Sequence, residues 1–352
     1  MNHSSVKQRI EYFDHLRILA TLAVVTIHVC TPYWFNGDVN STNWLFLNLF
    51  ESASRWAVPI FFMISGTLFL GSTQGIKTIL RKNVLHIFTA FVFWSAVYTG
   101  ICYLKGQYSV PDAIREFLYG YYHMWYLYAI AGLYLAVPIL RKITESKETT
   151  KYFLLMAILF GSFLPWSAMY LGLYHPTVQT TAETMLGLLS FNSVCGYSLY
   201  FVLGWYLHNT DFSPKQRKVI YGLGIAGLLA TFGLSYAESI RMQAPVHTFF
   251  EYRNPNVLFT GAAVFVFAKY HFRYGKLSSA WIAILQKLSK YSFGVYLVHA
   301  LLYDVLRYHL YFDILSYPAV ISVPAVSLVL TVVSFLISAV IHQIPLLKKH
   351  IV

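Results

Sequence analysis

Apolar residues in this chain accumulate in long blocks, and short polar segments between the blocks carry most of the charge. A helix that crosses a bilayer needs about 20 mostly apolar residues. Ten blocks fit that demand, at roughly 18–35, 45–70, 84–104, 121–140, 152–173, 188–207, 219–236, 257–270, 291–308 and 318–345. The second and the last are long enough to tilt or to carry a surface segment, and the eighth is the shortest. No period of about 20–50 residues recurs, which argues against a repeat array. The pattern therefore predicts an all-α polytopic membrane protein with about ten transmembrane helices, because a helix satisfies its own backbone groups inside lipid. A single integral-membrane domain over 1–352 is expected, with 1–16 as a polar cytoplasmic N-terminal segment. The first apolar run has no small-residue cleavage pattern behind it, so no cleavable signal peptide is expected.

Composition narrows the class further. Of 352 residues, 57% are hydrophobic, 18% aromatic and only 11% charged, against about 25% charged in an average soluble domain. Mean hydropathy is +0.54. These values exclude a soluble globular domain and a disordered chain. An outer-membrane barrel would need a polar, lumen-facing residue at every second position of its strands, which sits badly with this composition. The formal net charge of +12 raises the question of a nucleic-acid partner, and the placement of the charges answers it. With the N-terminus in the cytoplasm and the blocks alternating, 19 of the 26 Lys and Arg residues fall on inside segments and their flanks. Only Lys105, Arg115, Arg241 and Arg253 fall outside, and Arg17, Arg55 and Arg307 lie at or within helices. Such asymmetry is the positive-inside rule at work, so the charge reports topology and no nucleic-acid partner is expected. The three cysteines, Cys30, Cys102 and Cys195, are too few and scattered for a disulfide framework or a metal site.

Ionisable groups inside lipid are costly and usually face a cavity or a partner, which makes them the functional candidates. In FDHLRILATLAVVTIHV, Arg17 and His28 are eleven residues apart, which places them on one helical face about 16 Å apart along the axis. Asp14 is spaced to pair with Arg17 at the helix start. A buried imidazole is a natural proton acceptor; the same spacing also fits a cationic flank and a packing histidine. Glu51 and Arg55 stand four apart in the favourable order for an ion pair, either as a binding element or as a pair near the outer surface. Lys77, Arg81, Lys82 and His86 cluster at the cytoplasmic entry of the third helix, where they suit lipid headgroups or the phosphates of a soluble substrate. His123 and Trp125 lie near the outer end of the fourth helix. The ninth carries His299 near mid-membrane, followed by Asp304 and Arg307. Eight tryptophans and 28 tyrosines exceed what two interfacial belts need, and some aromatic faces suit the apolar side of a sugar ring.

Four of these segments occur together and in order in one family. FDHLRILATLAVVTIHV, SASRWAVPIFFMISGTLF, YHMWYLYAI and YSFGVYLVHALL resemble the motifs of the acyltransferase-3 family of bacterial integral-membrane O-acyltransferases, over essentially the whole chain. Within it, the chain looks most like the branch containing the enterobacterial-common-antigen O-acetyltransferase. The resemblance implies a multi-pass enzyme of the bacterial inner membrane. It would move an acyl group, acetyl above all, from cytoplasmic acyl-CoA to a sugar hydroxyl of a cell-surface glycan or its lipid-linked precursor. It implies catalytic roles for His28, as general base or transient acyl carrier, and its partner Arg17, and a donor-binding role for Lys77, Arg81, Lys82 and His86. Glu51, Arg55, His123, Trp125 and His299 become substrate-binding candidates, and Ser65, Tyr126 or Arg55 candidate oxyanion donors. No permanently bound cofactor and no metal are expected; the partners are acyl-CoA, the glycan and membrane lipids. Many members carry two arginines three apart at the start of helix three, and here Arg81-Lys82-Asn83-Val84-Leu85-His86 breaks that pattern. A glycan or small-molecule transporter is the alternative from another class, since it uses the same buried charges and central cavity. Helices broken at Gly or Pro in matching halves are its usual mark, and none is evident.

Overall fold

The computed structural model describes residues 9–189, 195–275 and 277–352, and these are helical without any strand. The elements are α1 (Glu11–Asn36), α2 (Thr42–Ser54), α3 (Ala57–Leu70), α4 (Leu85–Leu104), α5 (Val110–Tyr119) and α6 (Trp125–Thr144). Then follow α7 (Lys147–Ile158), α8 (Leu164–Gly172), α9 (Pro176–Leu188), α10 (Ser198–Asn209) and α11 (Pro214–Met242). The chain ends with α12 (Pro255–His271), α13 (Ser279–Asp304), α14 (Ala319–Ile341) and α15 (Pro345–His350). Three π-helical turns extend them: Ile79–Val84 leads into α4, Leu159–Phe163 joins α7 to α8, and Val305–His309 prolongs α13.

Among the described residues, seven helical segments are long and apolar enough to cross a membrane: Glu11–Asn36, Thr42–Leu70, Ile76–Leu104, Trp125–Thr144, Lys147–Gly172, Pro214–Met242 and Ala319–Ile341. The remaining three apolar blocks behave differently, each for a local reason. The block at 188–207 includes positions 190–194, which lie outside the described residues, as do Lys7 and Lys276 of the charge count. The block at 257–270 becomes α12, which is only 17 residues long. The block at 291–308 becomes the second half of α13, whose first half is rich in Lys, Ser and Gln.

The 45–70 block is two helices rather than one, with the break at Arg55 and Trp56. Pro59 explains it: proline has no N–H to donate, and its ring crowds the carbonyl of the residue four before it, which is Arg55. The break leaves Arg55 at the C-terminus of α2, where it can reach a cavity.

The α1 helix occupies the middle of the bundle and packs against α2, α3, α12, α13 and α14. Its buried side chains include Leu16, Ala20, Val24, Val25 and Val29. The α3 and α10 helices approach closely: a Cβ added at Gly66 would lie 1.9 Å from the Phe201 carbonyl oxygen, and one at Gly204 would lie 2.2 Å from that of Met63. Small residues at helix contacts let backbones approach in this way, which is how membrane bundles gain packing energy.

Candidate functional site

The α1 and α13 helices bring two histidines into contact. His28 Nδ1 lies 2.6 Å from His299 Nε2, and the two rings are nearly coplanar and meet edge to edge, with centroids 4.8 Å apart and an interplanar angle of 14°. His299 Nδ1 lies 3.0 Å from the Val295 carbonyl oxygen, one turn earlier in α13. A third imidazole, His123, comes from the turn that precedes α6, with its ring centroid 5.3 Å from that of His299 and 6.1 Å from that of His28. The Tyr296 hydroxyl fixes that turn by donating to the His123 carbonyl oxygen at 2.7 Å. His123 is 2% exposed, and neither of its ring nitrogens has a hydrogen-bond partner among the described residues. A buried polar group without a partner costs free energy, so these two nitrogens mark a place where a bound molecule would restore what folding removed.

Two cavities meet at this centre. The inner one, of about 360 Å³, runs from Arg17, Asn83, His86 and Lys290 to His28, His123 and Trp125. The outer one, of about 520 Å³, is lined by His28, Arg55, Tyr122, Glu251, Asp304 and Arg307 among others. Both are lined by Ile27, His28, Trp125 and Tyr252, so the His28 imidazole stands in the wall between them. Beyond the inner mouth, Lys77, Arg81, Lys82 and His86 line one cleft of about 930 Å³ together with Lys348. That cleft and the inner cavity share Asn83 and His86. The π-helical turn Ile79–Val84 presents Arg81 and Lys82 here, and such turns recur at functional sites because they re-aim side chains.

Several expected site residues thus converge and others do not. Arg17 and His28 share the inner cavity, as their eleven-residue spacing predicts. The partner expected for Arg17 is otherwise engaged: Asp14 receives both Nε and Nη2 of Arg9, each at 2.7 Å, and Tyr274 donates to the same carboxylate. Those bonds raise the Arg9 pKa above its ordinary value. Asp14 reaches Arg9 because α1 begins only at Glu11, so the preceding backbone is free to fold back. Arg17 is left with a 3.4 Å contact from Nη1 to Ser289 Oγ and lines a second pocket with Arg9, His208 and Lys290.

Glu51 and Arg55 form the expected ion pair, but in the interior rather than at the surface. Thr31 Oγ1 donates to the Glu51 carboxylate at 3.0 Å. The Arg55 guanidinium sits 4.7 Å over the Phe250 ring and 5.6 Å over that of Tyr252, a favourable place for a cation. Arg55 lines the outer cavity, whereas Glu51 only supports it. Trp125 lies in the wall of both cavities, and its ring stacks 5.7 Å from that of Tyr252. His299 lines neither cavity and touches His28 from behind. Asp304 accepts from the Tyr121 hydroxyl at 2.6 Å, while Arg307 spreads over the rings of Tyr33, Tyr303 and Tyr308. Sequence reasoning missed Tyr252 and Glu251, which lie in the loop before α12, and it read Lys290, in α13 directly before YSFGVYLVHALL, and Lys348, in α15, only as inside charges. Among the described residues, no group of three or more His, Cys, Asp or Glu side chains is arranged to hold a metal ion.

The sequence profile of the acyltransferase-3 family, described as an acyltransferase domain, matches residues 10–343. The chain belongs to this family. No curated protein and no solved structure matches it. The part of this acyltransferase that the profile covers contains every side chain lining the two cavities that meet at His28. The cationic cleft is less fully covered, since Lys348 and Val352 lie beyond the matched stretch. Membership joins the seven apolar helices in identifying a multi-pass membrane protein of the acyltransferase class.

Proposed function

We propose that this acyltransferase takes an acyl group, in the simplest case acetyl, from cytoplasmic acyl-CoA and delivers it to a hydroxyl of a cell-surface glycan or its lipid-linked precursor. The observation that carries this reading is the position of His28 in the wall shared by two cavities. One cavity connects to a cationic cleft suited to phosphates. The other offers aromatic faces with carboxylates and arginines, which suits a polyhydroxylated ring. In this reading Lys77, Arg81, Lys82 and His86, with Lys348, hold the nucleotide phosphates. The pantetheine arm then follows the α1 face from Arg17 toward His28, a rise of about 16 Å.

The acceptor oxygen attacks the thioester carbon as His28 takes its proton, in general-base fashion. Collapse of the tetrahedral intermediate breaks the C–S bond, and the leaving thiolate recovers that proton from the imidazolium as free CoA. The unpartnered His123 ring, one nitrogen of which carries hydrogen in any charge state, suits the donor that such an intermediate needs at its oxyanion. Ser65 and Tyr126 line the same cavity, and Arg55 lines the other.

Ten crossings with both termini in the cytoplasm, in the inner membrane of a bacterium, complete the proposal. Contacts between helix ends support the alternation this requires. At one end of the bundle, Lys269 Nζ donates to the carbonyls of Leu207, His208 and Thr210, and Arg9 reaches the Gln286 carbonyl. At the other, Asn40 meets Gln243 at 2.9 Å and the backbone N–H of Ala319 donates to Asn43 at 2.9 Å.

The test uses purified protein in nanodiscs with acetyl-CoA and a thiol reagent that reports free CoA. Wild type should release CoA, and a folded His28→Ala variant should be slower by about 10²–10⁴-fold, the usual worth of a general base. Equal rates in the two proteins would end the role of His28. Absence of both binding and turnover with acetyl-CoA would overturn the acetyl donor, and substrate movement without CoA release would favour a transporter.

A further inference from the structure

The contact between His28 and His299 fixes more than packing. The Val295 oxygen can only accept a hydrogen bond, so the nitrogen 3.0 Å from it, His299 Nδ1, carries the hydrogen. A neutral imidazole has one N–H and one lone pair, which leaves the lone pair of His299 on Nε2. That lone pair meets His28 Nδ1 at 2.6 Å. Two lone pairs do not face each other at that distance, so His28 Nδ1 is the donor and His28 Nε2 holds the free lone pair. Giving His299 a second hydrogen would place a charge in a buried position, 1% exposed. Among the described residues no carboxylate pairs with either ring to offset it: His28 and His299 bond to each other and to the Val295 carbonyl.

From this chain of donors we infer that His299 is a positioning residue that sets the tautomer of His28, keeping the lone pair on Nε2 as the proton-accepting nitrogen toward the two cavities. The inference rests on the acyl-transfer reading only for its kinetic consequence; the tautomer itself stands on hydrogen-bond geometry. When His28 Nε2 takes a proton, its Nδ1–H bond to His299 becomes charge-assisted and stronger. The Val295 carbonyl backs the second ring in turn. This is the arrangement in which a base is oriented by a third group, with an imidazole and a main-chain carbonyl in place of a carboxylate. It differs from a substrate-binding role, which would require His299 to line a cavity, and it lines neither.

The experiment compares wild type with His299→Leu, which removes the acceptor, and His299→Gln, whose Oε1 can accept from His28 Nδ1. Each is purified in nanodiscs and checked for cooperative thermal unfolding. The first readout needs no acyl donor: diethyl pyrocarbonate modifies the unprotonated imidazole nitrogen, and peptide mass spectrometry follows the rate at His28 alone. The second is kcat and KM for CoA release. The expected result is a His28 modification rate reduced about tenfold in His299→Leu and largely restored in His299→Gln, with kcat lower by about ten- to a hundredfold and KM for acetyl-CoA unchanged, a share of what a general base supplies.

Unchanged labelling in a folded His299→Leu variant would overturn the inference. So would equal slowing in both variants, which would indicate packing, or a change confined to KM, which would indicate substrate contact. If wild type releases no CoA while labelling still depends on His299 as expected, the acyl-transfer reading fails and the tautomer assignment survives.

Discussion

Glu51 and Arg55 show how far a residue pattern reaches. Their spacing of four on a helix is enough to pair them, but it carries no information about depth. In the structure Glu51 is fully buried and Arg55 nearly so, with side-chain exposures of 1% and 14%. Glu51 Oε2 and Arg55 Nε have no partner among the described residues. Removing one member of such a pair strands the other charge in the interior, at a cost of about 3–5 kcal/mol. Glu51→Ala should therefore lower the unfolding temperature strongly, while a joint Glu51→Leu, Arg55→Met replacement should recover much of the loss. Thermal unfolding in nanodiscs checks this, and single and double variants of equal stability would show that the pair is not a buried ionic contact. His28 and Arg17 were legible in the same local way, because one helix carries both. The contact between His28 and His299 was not, since 271 positions separate them and neither local spacing nor hydropathy encodes such a pairing. His123 was singled out by its motif, but the sequence does not tell that neither of its ring nitrogens finds a partner among the described residues.

Helix-scale expectations succeeded where lipid dictates the pattern and failed where it does not. Apolar blocks end at the membrane boundary, whereas helices continue past it: α13 starts at Ser279, 12 residues before the block that predicted it. In the other direction, a continuous apolar block hid the break between α2 and α3, although Pro59 was the signal for it. The contact of α3 with α10 gives the sharpest test at this scale. With only hydrogen on its Cα, Gly66 lets the Phe201 backbone approach, and the Cβ position is blocked by backbone rather than by a movable side chain. Gly66→Ala should force the two helices apart and destabilise the bundle by about 1–3 kcal/mol, as overpacking does in other tight interfaces. Alanine favours a helix over glycine by up to about 1 kcal/mol, so propensity alone predicts the opposite sign. An unfolding temperature that rises in Gly66→Ala would therefore show that the helices are not packed this closely.

For the whole molecule, the direction in which the two cavities face decides what can reach His28. The cationic cleft and the inner cavity belong to the end that carries Lys77, Arg81, Lys82 and Lys290, and the outer cavity to the end that carries Glu251, Asp304 and Arg307. A phosphate-bearing donor and a surface glycan can meet at His28 only if the first end faces the cytoplasm. The positive-inside rule gives the same orientation, in part from the same Lys77, Arg81, Lys82, Lys290 and Lys348, so a single measurement tests both. Cys30 and Cys195 are buried, and Cys102 is the partly exposed native thiol; a Cys102→Ser background is therefore the starting point. Glu116→Cys lies on α5 and Glu145→Cys between α6 and α7, at opposite ends of the bundle. In spheroplasts, a membrane-impermeant maleimide should label Glu116→Cys at once and Glu145→Cys only after lysis. The reverse pattern would turn the molecule over and put the cationic cleft outside, where no acyl-CoA is found. Labelling of both before lysis would mean an odd number of crossings between α5 and α7 is wrong, and the alternation on which the donor and acceptor ends are assigned would fall with it.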